Sequence, residues 1–178
     1  MAHIDLGETA EPGIRGLLRY RPATGRALMQ LADALLRGES SLTPGERELI
    51  AAYVSALNDC TFCRLSHAAV AAAQLPGGRT LVDAVLDDPE TAPIPSRTRA
   101  LLRVAAAARE DGHAVTAELV ADARAEGATD VEVHDTVLIA AAFSMFNRYV
   151  DGLGTAAPDD PAGYLPGAER IARQGYSG

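Results

Sequence analysis

The sequence predicts an all-α protein, and its composition, its helix-start signals and its lack of strand patterns all favour this class. Hydrophobic residues make up 48% of the 178 residues, many of them alanine, whereas aromatic residues make up 4% and Trp is absent. Alanine is the best helix former and a poor strand former, so this mixture favours closely packed helices. No stretch alternates apolar and polar residues convincingly enough to predict a strand. A chain of this length is expected to form one domain, 1–178, with a sizeable core.

Seven segments are predicted to be helical. They cover residues 24–38, 43–58, 60–75, 79–87, 96–111, 116–127 and 129–153. The first has apolar residues at positions 28, 31, 32 and 35 and ends at a glycine, the third stops at a PGG turn, and the fifth and sixth are amphipathic and end near glycines. The second and the last both begin with the Thr-x-x-Glu spacing of a capping box, and the second also has proline at its first helical position.

The remaining segments are predicted to be irregular. Residues 87–95 contain three prolines, which exclude a helix and predict a loop. Residues 1–13 are expected to form an N-terminal arm, and residues 155–178 a turn-rich C-terminal tail.

Charge and hydropathy exclude several classes of function. The net charge is −8, so no basic face is expected to neutralise phosphates, and nucleic-acid binding is not expected. The acidic N-terminus lacks the apolar run of a signal peptide. The most apolar run, 137–146, is about half the length that crosses a bilayer. We therefore expect a cytoplasmic protein that does not enter the membrane.

An internal similarity suggests two related helical halves. LIAAYVSALN (49–58) and LIAAAFSMFN (138–147) match at six of ten positions, offset by 89 residues. Two alanine-rich buried helices can also look alike without a duplication. If the halves are related, only the first carries reactive residues, because Val137 and Tyr149 stand where the first has Glu48 and Cys60.

The residues that suggest chemistry lie in RELIAAYVSALNDCTFCRLSHAA (47–69). Within a helix over 60–75, Cys60, Cys63 and His67 share one face at i, i+3 and i+7. Both cysteines would lie in the first turn, where the helix dipole favours a thiolate. His67 can exchange a proton with Cys63 near neutral pH. Glu48, on the preceding helix, would need a partner if buried, and His67 or Cys60 is the expected one.

Three other interpretations of these residues are open. A disulfide across so short a loop would add only about 2 kcal/mol of stability, which makes a structural staple a poor choice. A zinc site could use both cysteines, His67 and Glu48, but structural zinc prefers a second Cys/His pair that this chain lacks. Cysteines that only fill the core would have no reason to share a face with His67. A redox-active pair is therefore the main hypothesis, with no metal and no cofactor.

Glu48 is followed after eleven residues by Cys60-x-x-Cys63, and His67 follows after three more. This spacing resembles the signature of the alkyl hydroperoxidase D-like (AhpD-like) peroxidases of the carboxymuconolactone decarboxylase superfamily. FNRYVDGLG (146–154) resembles the peroxidase-related branch. The resemblance implies an all-α AhpD-like fold, a trimer or hexamer, and thiol-dependent reduction of peroxides by an external dithiol or protein reductant. Carried over by position, Cys63 is the peroxidatic thiol, Cys60 the resolving thiol and proton donor, and Glu48 with His67 the proton relay.

One departure from the family and two alternative functions remain. The best-studied members have a histidine immediately before the second cysteine, where this chain has Phe62, so the relay is expected to be shorter and the activity weaker or aimed at another oxidant. The chain could instead be a redox-sensing or scaffolding oligomer without turnover. A decarboxylase or lactone-processing enzyme on the same fold is disfavoured, because the resembling decarboxylases generally lack the cysteine pair.

Overall fold

The structure, a computed structural model, describes residues 2–7 and 11–176. These residues form nine α-helices and two short 3-10 helices and contain no strand, which confirms the all-α class. The α-helices are α1 Ile14–Tyr20, α2 Pro22–Arg37, α3 Pro44–Leu57, α4 Thr61–Gln74, α5 Gly78–Asp87, α6 Ser96–Glu110, α7 Ala117–Ala125, α8 Asp130–Gly152 and α9 Leu165–Gln174. The 3-10 helices are Gly112–Ala114 and Pro161–Tyr164.

The seven predicted helices are all present as α2 to α8, and each end lies within two residues of its predicted position. The description of 155–178 as turn-rich is wrong for its second half, because Leu165–Gln174 form α9. Proline and glycine near the start of this segment suggested turns, but proline is tolerated in the first turn of a helix. The buried Ala168 and the partly buried Ile171 of α9 pack against an apolar cluster that includes residues of α4.

Both predicted capping boxes form, and one arginine joins them. The Thr43 hydroxyl accepts from the Glu46 backbone N–H at 3.2 Å, and the Glu46 carboxylate accepts from the Thr43 N–H at 2.8 Å. Thr129 and Glu132 repeat the same two bonds at the start of α8. The Arg97 guanidinium binds the carboxylates of both Glu46 and Glu132. The first turns of α3 and α8 are thereby tied to α6.

The two similar segments noted in the sequence lie against each other and bond reciprocally. The Asn58 amide donates to the Asn147 amide oxygen at 2.9 Å and approaches the Ser144 hydroxyl at 3.5 Å. In the other direction, the Asn147 amide donates to the Ser55 hydroxyl at 3.1 Å. Each segment thus offers its serine to the asparagine of the other, an arrangement with approximate two-fold character. The shared S-x-x-N pattern has a structural cause in this contact.

Helices α3 and α4 form an antiparallel pair at the centre of the molecule. Both helices carry small side chains that are completely buried in one core cluster, namely Ala51, Ala52, Ala68 and Ala71. Because alanine lets the helix axes approach closely, polar groups on the two helices come within hydrogen-bonding distance. Helices α2 and α8 pack against α3, and α9 packs against α4. The remaining walls of the site come from α1, α2, α8 and Tyr176, which follows α9. Among the described residues, none of the helices has the length and apolar character needed to cross a bilayer.

Candidate active site

The junction between α3 and α4 reverses the chain and aligns the two helices. Asp59 adopts a left-handed conformation with φ 56°, which short polar residues tolerate better than other non-glycine residues do. The Cys60 N–H then bonds the Ser55 carbonyl at 3.0 Å. Arg109 supports the turn from α6, since it donates to the Asn58 side chain at 2.7 Å and to the Leu57 carbonyl. The chain therefore reverses sharply between α3 and α4.

Glu48 and His67 meet across the α3–α4 contact, so His67 is the partner among the two candidates, His67 and Cys60, that the sequence offered. Glu48 is completely buried, and its Oε2 lies 2.6 Å from His67 Nδ1. Its other oxygen, Oε1, accepts from the Arg37 guanidinium of α2 at 2.6 Å. Arg37 carries no signal in the sequence, because a basic residue in the last turn of a helix is common. Each carboxylate oxygen therefore has a partner, the charged Arg37 on Oε1 and the titratable His67 on Oε2.

The surroundings of Glu48 keep it ionised. Burial by itself raises the pKa of this carboxyl. The charge of His67 and its hydrogen bond act in the opposite direction, and the Arg37 charge and the Tyr176 hydroxyl reinforce them, so the pKa lies below its ordinary value. An ionised carboxylate can only accept, so the Nδ1 of His67 carries the proton. The Nε2 of His67 is left as the nitrogen that can exchange a proton with another group.

The His67 ring is held on a second side by an aromatic contact. Phe143 of α8 meets it edge-on, with ring centroids 4.5 Å apart and an interplanar angle of 86°. Aromatic pairs favour this T-shaped arrangement. Together with the Glu48 bond, it fixes the direction in which Nε2 points.

The two cysteines differ in environment more than the sequence suggested. Both are free thiols and both are buried. Cys60 precedes α4 as its N-cap residue with an extended backbone, so the prediction that it lies inside the first turn is wrong. Cys60 lies outside the helix because the turn at Asp59 shifts the start of α4 to Thr61. Cys63 lies in the first turn as predicted, on the same helix as His67 and one turn before it.

Cys60 is the thiol that keeps its proton. A hydrogen bond with Cys63 raises the pKa of the Cys60 thiol, and burial and the negative charges of Cys63 and Asp151 raise it further. The expectation that the helix start favours a thiolate on both cysteines is therefore wrong for Cys60. Asp151, near the end of α8, had no assigned role in the sequence, although it lies within FNRYVDGLG.

Tyr176 completes the site from the C-terminal tail, and no sequence pattern pointed to it. Its hydroxyl donates to Glu48 Oε1 at 2.8 Å and lies 3.2 Å from His67 Nδ1. Burial, the Glu48 charge and this hydrogen bond raise the Tyr176 pKa well above its ordinary value, so the phenol remains a donor. Its ring is nearly parallel to the His67 ring, with centroids 6.1 Å apart. The tail therefore covers part of the site.

Cys63 and His67 open into a small cavity, here called the thiol pocket. Its volume is about 60 Å³, and most of its remaining lining is apolar. The lining residues besides the cysteine and the histidine are Ile14, Leu18, Leu28, Met29, Ala32, Phe62, Phe143, Phe146 and Tyr176. A small oxidant in this pocket would meet the sulfur of Cys63 and the ring of His67 together.

Phe62 occupies the position at which the resemblance to AhpD-like peroxidases led us to expect a histidine. Its side chain is buried and tilts against Tyr164, with ring centroids 5.7 Å apart. Gly13 lies so close that a Cβ there would be 2.2 Å from the Phe62 ring. The position is apolar and tightly packed, so no proton-transfer group takes the place of the missing histidine.

The zinc interpretation has no support in the geometry. In residues 2–7 and 11–176, no three His, Cys, Asp or Glu side chains cluster as metal ligands would. Both oxygens of Glu48 are engaged by Arg37, Tyr176 and His67. His134 is exposed beside Asp135, and His113 is exposed in the 3-10 helix after α6.

Comparison with known proteins identifies related chains. Residues 22–75, which include the glutamate, both cysteines and the histidine, match the model of the carboxymuconolactone decarboxylase family. A structure from Ralstonia eutropha JMP134, described as an alkylhydroperoxidase AhpD core and an uncharacterised peroxidase-related protein, is 31% identical, with a TM-score of 0.76 over 86% of this chain and 80% of that one. An uncharacterised peroxidase-related protein from Silicibacter sp. TM1040 is 21% identical and shares the fold, with a TM-score of 0.80 over 92% of this chain and 95% of that one. No curated protein matches.

Proposed function

Because the chain belongs to the carboxymuconolactone decarboxylase superfamily and has the AhpD-like fold, we propose that it is a thiol-dependent peroxidase that acts through Cys63 and Cys60. The observation that supports this best is that His67, which binds the buried Glu48, lines one pocket together with Cys63. A base oriented by a buried carboxylate and adjacent to a thiol is the arrangement that activates a nucleophilic cysteine. Among the described residues, this is the place where a thiol, a histidine and a buried carboxylate adjoin.

In the first half of the proposed reaction, Cys63 is oxidised. His67 Nε2 takes the proton of the Cys63 thiol, and the thiolate attacks one oxygen of the hydroperoxide. The O–O bond breaks, Cys63 becomes a sulfenic acid, and the peroxide is reduced. The leaving oxygen takes a proton from His67 and departs as water or an alcohol.

In the second half, Cys60 resolves the sulfenic acid. Its sulfur attacks the Cys63 sulfur and the S–OH bond breaks. The leaving hydroxide takes the proton of the Cys60 thiol, so that a disulfide and water are formed. The raised pKa of Cys60 suits this order, because a protonated thiol does not compete with Cys63 for the peroxide. An external dithiol, either a protein or a small molecule, then reduces the disulfide and is itself oxidised. The chemistry needs no flavin, haem or nicotinamide, and the sequence has no motif for any of them.

Substitution of each cysteine tests this order. Cys63→Ser is expected to abolish peroxide consumption with dithiol. Cys60→Ser is expected to stop turnover after one equivalent and to leave Cys63 as a sulfenic acid, which a dimedone adduct detects by mass. Normal turnover by Cys60→Ser would show that the resolving role is wrong. Activity on a lactone or carboxylate substrate that survives removal of both thiols would favour the decarboxylase alternative.

The proposal includes a cytoplasmic location and a homo-oligomer of three or six chains. A reversible dithiol is suited to a reducing compartment. On α8, the side chains of Val131, Leu138 and Met145 follow one another at seven-residue spacing and are 55%, 41% and 43% exposed. Such an apolar stripe is typical of a surface that a second chain covers. Light scattering of the reduced and the oxidised protein measures the assembly, and a large size change without peroxide consumption would favour the redox-sensor alternative.

A further inference from the structure

A second, larger cavity lies directly behind the thiol pocket. It is an open groove of about 510 Å³ between α1 and α2, here called the outer groove, and its lining is mostly apolar. Leu18, Met29 and Tyr176 line both the outer groove and the thiol pocket. These three side chains therefore form a partition between the groove and the space beside Cys63.

Within this partition, Tyr176 is held at its backbone, its ring and its hydroxyl. Its N–H donates to Asp33 Oδ1 at 2.9 Å, and its hydroxyl donates to Glu48 Oε1 at 2.8 Å. The Arg37 guanidinium lies over the ring, 5.2 Å from its centroid, in a cation–π contact.

Gly175, the residue before Tyr176, has a backbone conformation that suits this placement of the ring. Gly175 has φ 76°, and a Cβ there would lie 2.8 Å from Asp33 Oδ1. Only glycine takes this conformation at such close approach without strain. The chain end is thus built to set the aromatic ring in one position.

The volumes of the two cavities limit what can reach Cys63 while the ring is in place. A cavity of about 150 Å³ is needed to hold one benzene molecule, whereas about 10–15 Å³ suffices for a water. At about 60 Å³, the thiol pocket accommodates hydrogen peroxide but not an aromatic hydroperoxide. The outer groove is large enough for the latter but lies on the far side of the ring.

We propose that Tyr176 determines the size of the oxidant that reaches Cys63, so that the protein reacts with hydrogen peroxide and excludes bulky organic hydroperoxides. This inference rests on the proposed function. Removal of the ring joins the outer groove to the thiol pocket, and the groove then takes the organic body of a larger hydroperoxide. The chemistry is unchanged: the Cys63 thiolate attacks, the O–O bond breaks, and the leaving oxygen departs as the alcohol instead of water.

The ring and the hydroxyl of Tyr176 have separable roles. Tyr176→Phe keeps the ring in the partition and removes the bond to Glu48. Tyr176→Ala removes both. Loss of the hydrogen bond alone should slow the reaction of Cys63 with every hydroperoxide by the same factor, whereas loss of the ring should change the relative rates of different hydroperoxides. The ratio of two rates therefore reports the partition, and a purely structural role would leave that ratio unchanged.

The experiment compares the rates at which hydrogen peroxide and cumene hydroperoxide oxidise Cys63 in the reduced full-length protein. We expect the wild type to prefer hydrogen peroxide, and Tyr176→Ala to shift the ratio toward cumene hydroperoxide by about 10-fold or more, the scale on which pocket size discriminates substrates. Tyr176→Phe should keep the wild-type ratio. Tyr20→Ala, which alters an exposed tyrosine of α1 outside both cavities, is the matched control and should also keep it.

Alkylation separates failure of this inference from failure of the proposed function. Iodoacetamide and N-phenylmaleimide differ in bulk, and the ratio of the rates at which they alkylate Cys63 can be measured even if the protein has no peroxidase activity. If the wild type reacts with neither hydroperoxide faster than free cysteine does, the proposed function fails. If it reacts but Tyr176→Ala leaves both the peroxide ratio and the alkylation ratio unchanged, Tyr176 is not the partition. If Tyr176→Ala does not fold, Met29→Ala opens the same partition without touching Glu48, and an unchanged ratio there overturns the inference.

Discussion

Replacing Glu48 by Gln tests the relay with the smallest change of shape. The carboxylate accepts from His67 on one oxygen and from Arg37 and Tyr176 on the other. An amide has only one oxygen to offer, so it must turn toward one side. A hydrogen bond to the cationic Arg37 contributes about 1.5–3 kcal/mol, more than the roughly 1 kcal/mol of a neutral bond. The amide oxygen therefore faces Arg37, and the amide N–H₂ faces His67.

This orientation reverses the tautomer of His67. Its Nδ1 must then accept from the amide, so the proton moves to Nε2, which can no longer take the proton of Cys63. General-base catalysis contributes about 10²- to 10⁴-fold, and we expect Glu48→Gln to slow oxidation of Cys63 by at least about 100-fold. The free energy of unfolding should fall by only about 1–3 kcal/mol, because most of the hydrogen bonds are kept.

The assay is stopped-flow mixing of reduced protein with hydrogen peroxide, with the remaining free thiol measured at intervals. Glu46→Gln is the matched control, since it alters a carboxylate on the same helix that binds Arg97 and does not touch the thiol pocket. A Glu48→Gln rate within about twofold of wild type, in a protein that remains folded, would refute the general-base role.

Four further results are expected. The pKa of Glu48 is lower in the folded than in the unfolded protein, so the contribution of this carboxylate to stability is complete above about pH 4.5 and is lost as the pH falls below that value. Urea titrations at several pH values should show this loss of stability in the wild type and a smaller loss in Glu48→Gln. Asp59→Gly should leave the melting temperature unchanged or raise it, whereas Asp59→Val should lower stability by about 1–2 kcal/mol, and equal effects would contradict the left-handed turn. Phe62→His should lower stability by about 1–3 kcal/mol without accelerating Cys63 oxidation, and a faster reaction would show that the position can still serve proton transfer. Asn147→Ala removes the hydrogen bond between Asn147 and Asn58 and the donor to the buried Ser55 hydroxyl, and should cost about 1–3 kcal/mol in chemical denaturation, an effect that the exposed Arg148→Ala should not reproduce.

The parts of the fold that followed from the sequence are those with local causes. Capping boxes at Thr43 and Thr129 marked two helix starts, and the prolines of 87–95 marked a loop. The Glu48–His67 contact could also be inferred, because a buried carboxylate requires a partner and the short junction at Asp59 brings one helix back along the other.

The parts that could not be predicted depend on contacts between distant segments. Arg37 and Tyr176 reach Glu48 from 11 and 128 residues away, and neither has a distinctive local pattern. Helix α9 was missed because its stability comes from packing of Ala168 and Ile171 and not from a start signal. The different character of Cys60 depends on its N-cap position and on Asp151, which only the folded chain brings near.

A peroxide titration of the reduced, metal-free protein, with free thiols and intact mass followed together, shows whether the two cysteines react as one activated pair. We expect that both thiols disappear in parallel, that each chain loses about two mass units as one disulfide forms, and that the rate greatly exceeds that of free cysteine. Oxidation no faster than free cysteine, or gain of oxygen without disulfide formation, would contradict the claim that Glu48, His67 and the two cysteines form one activated site.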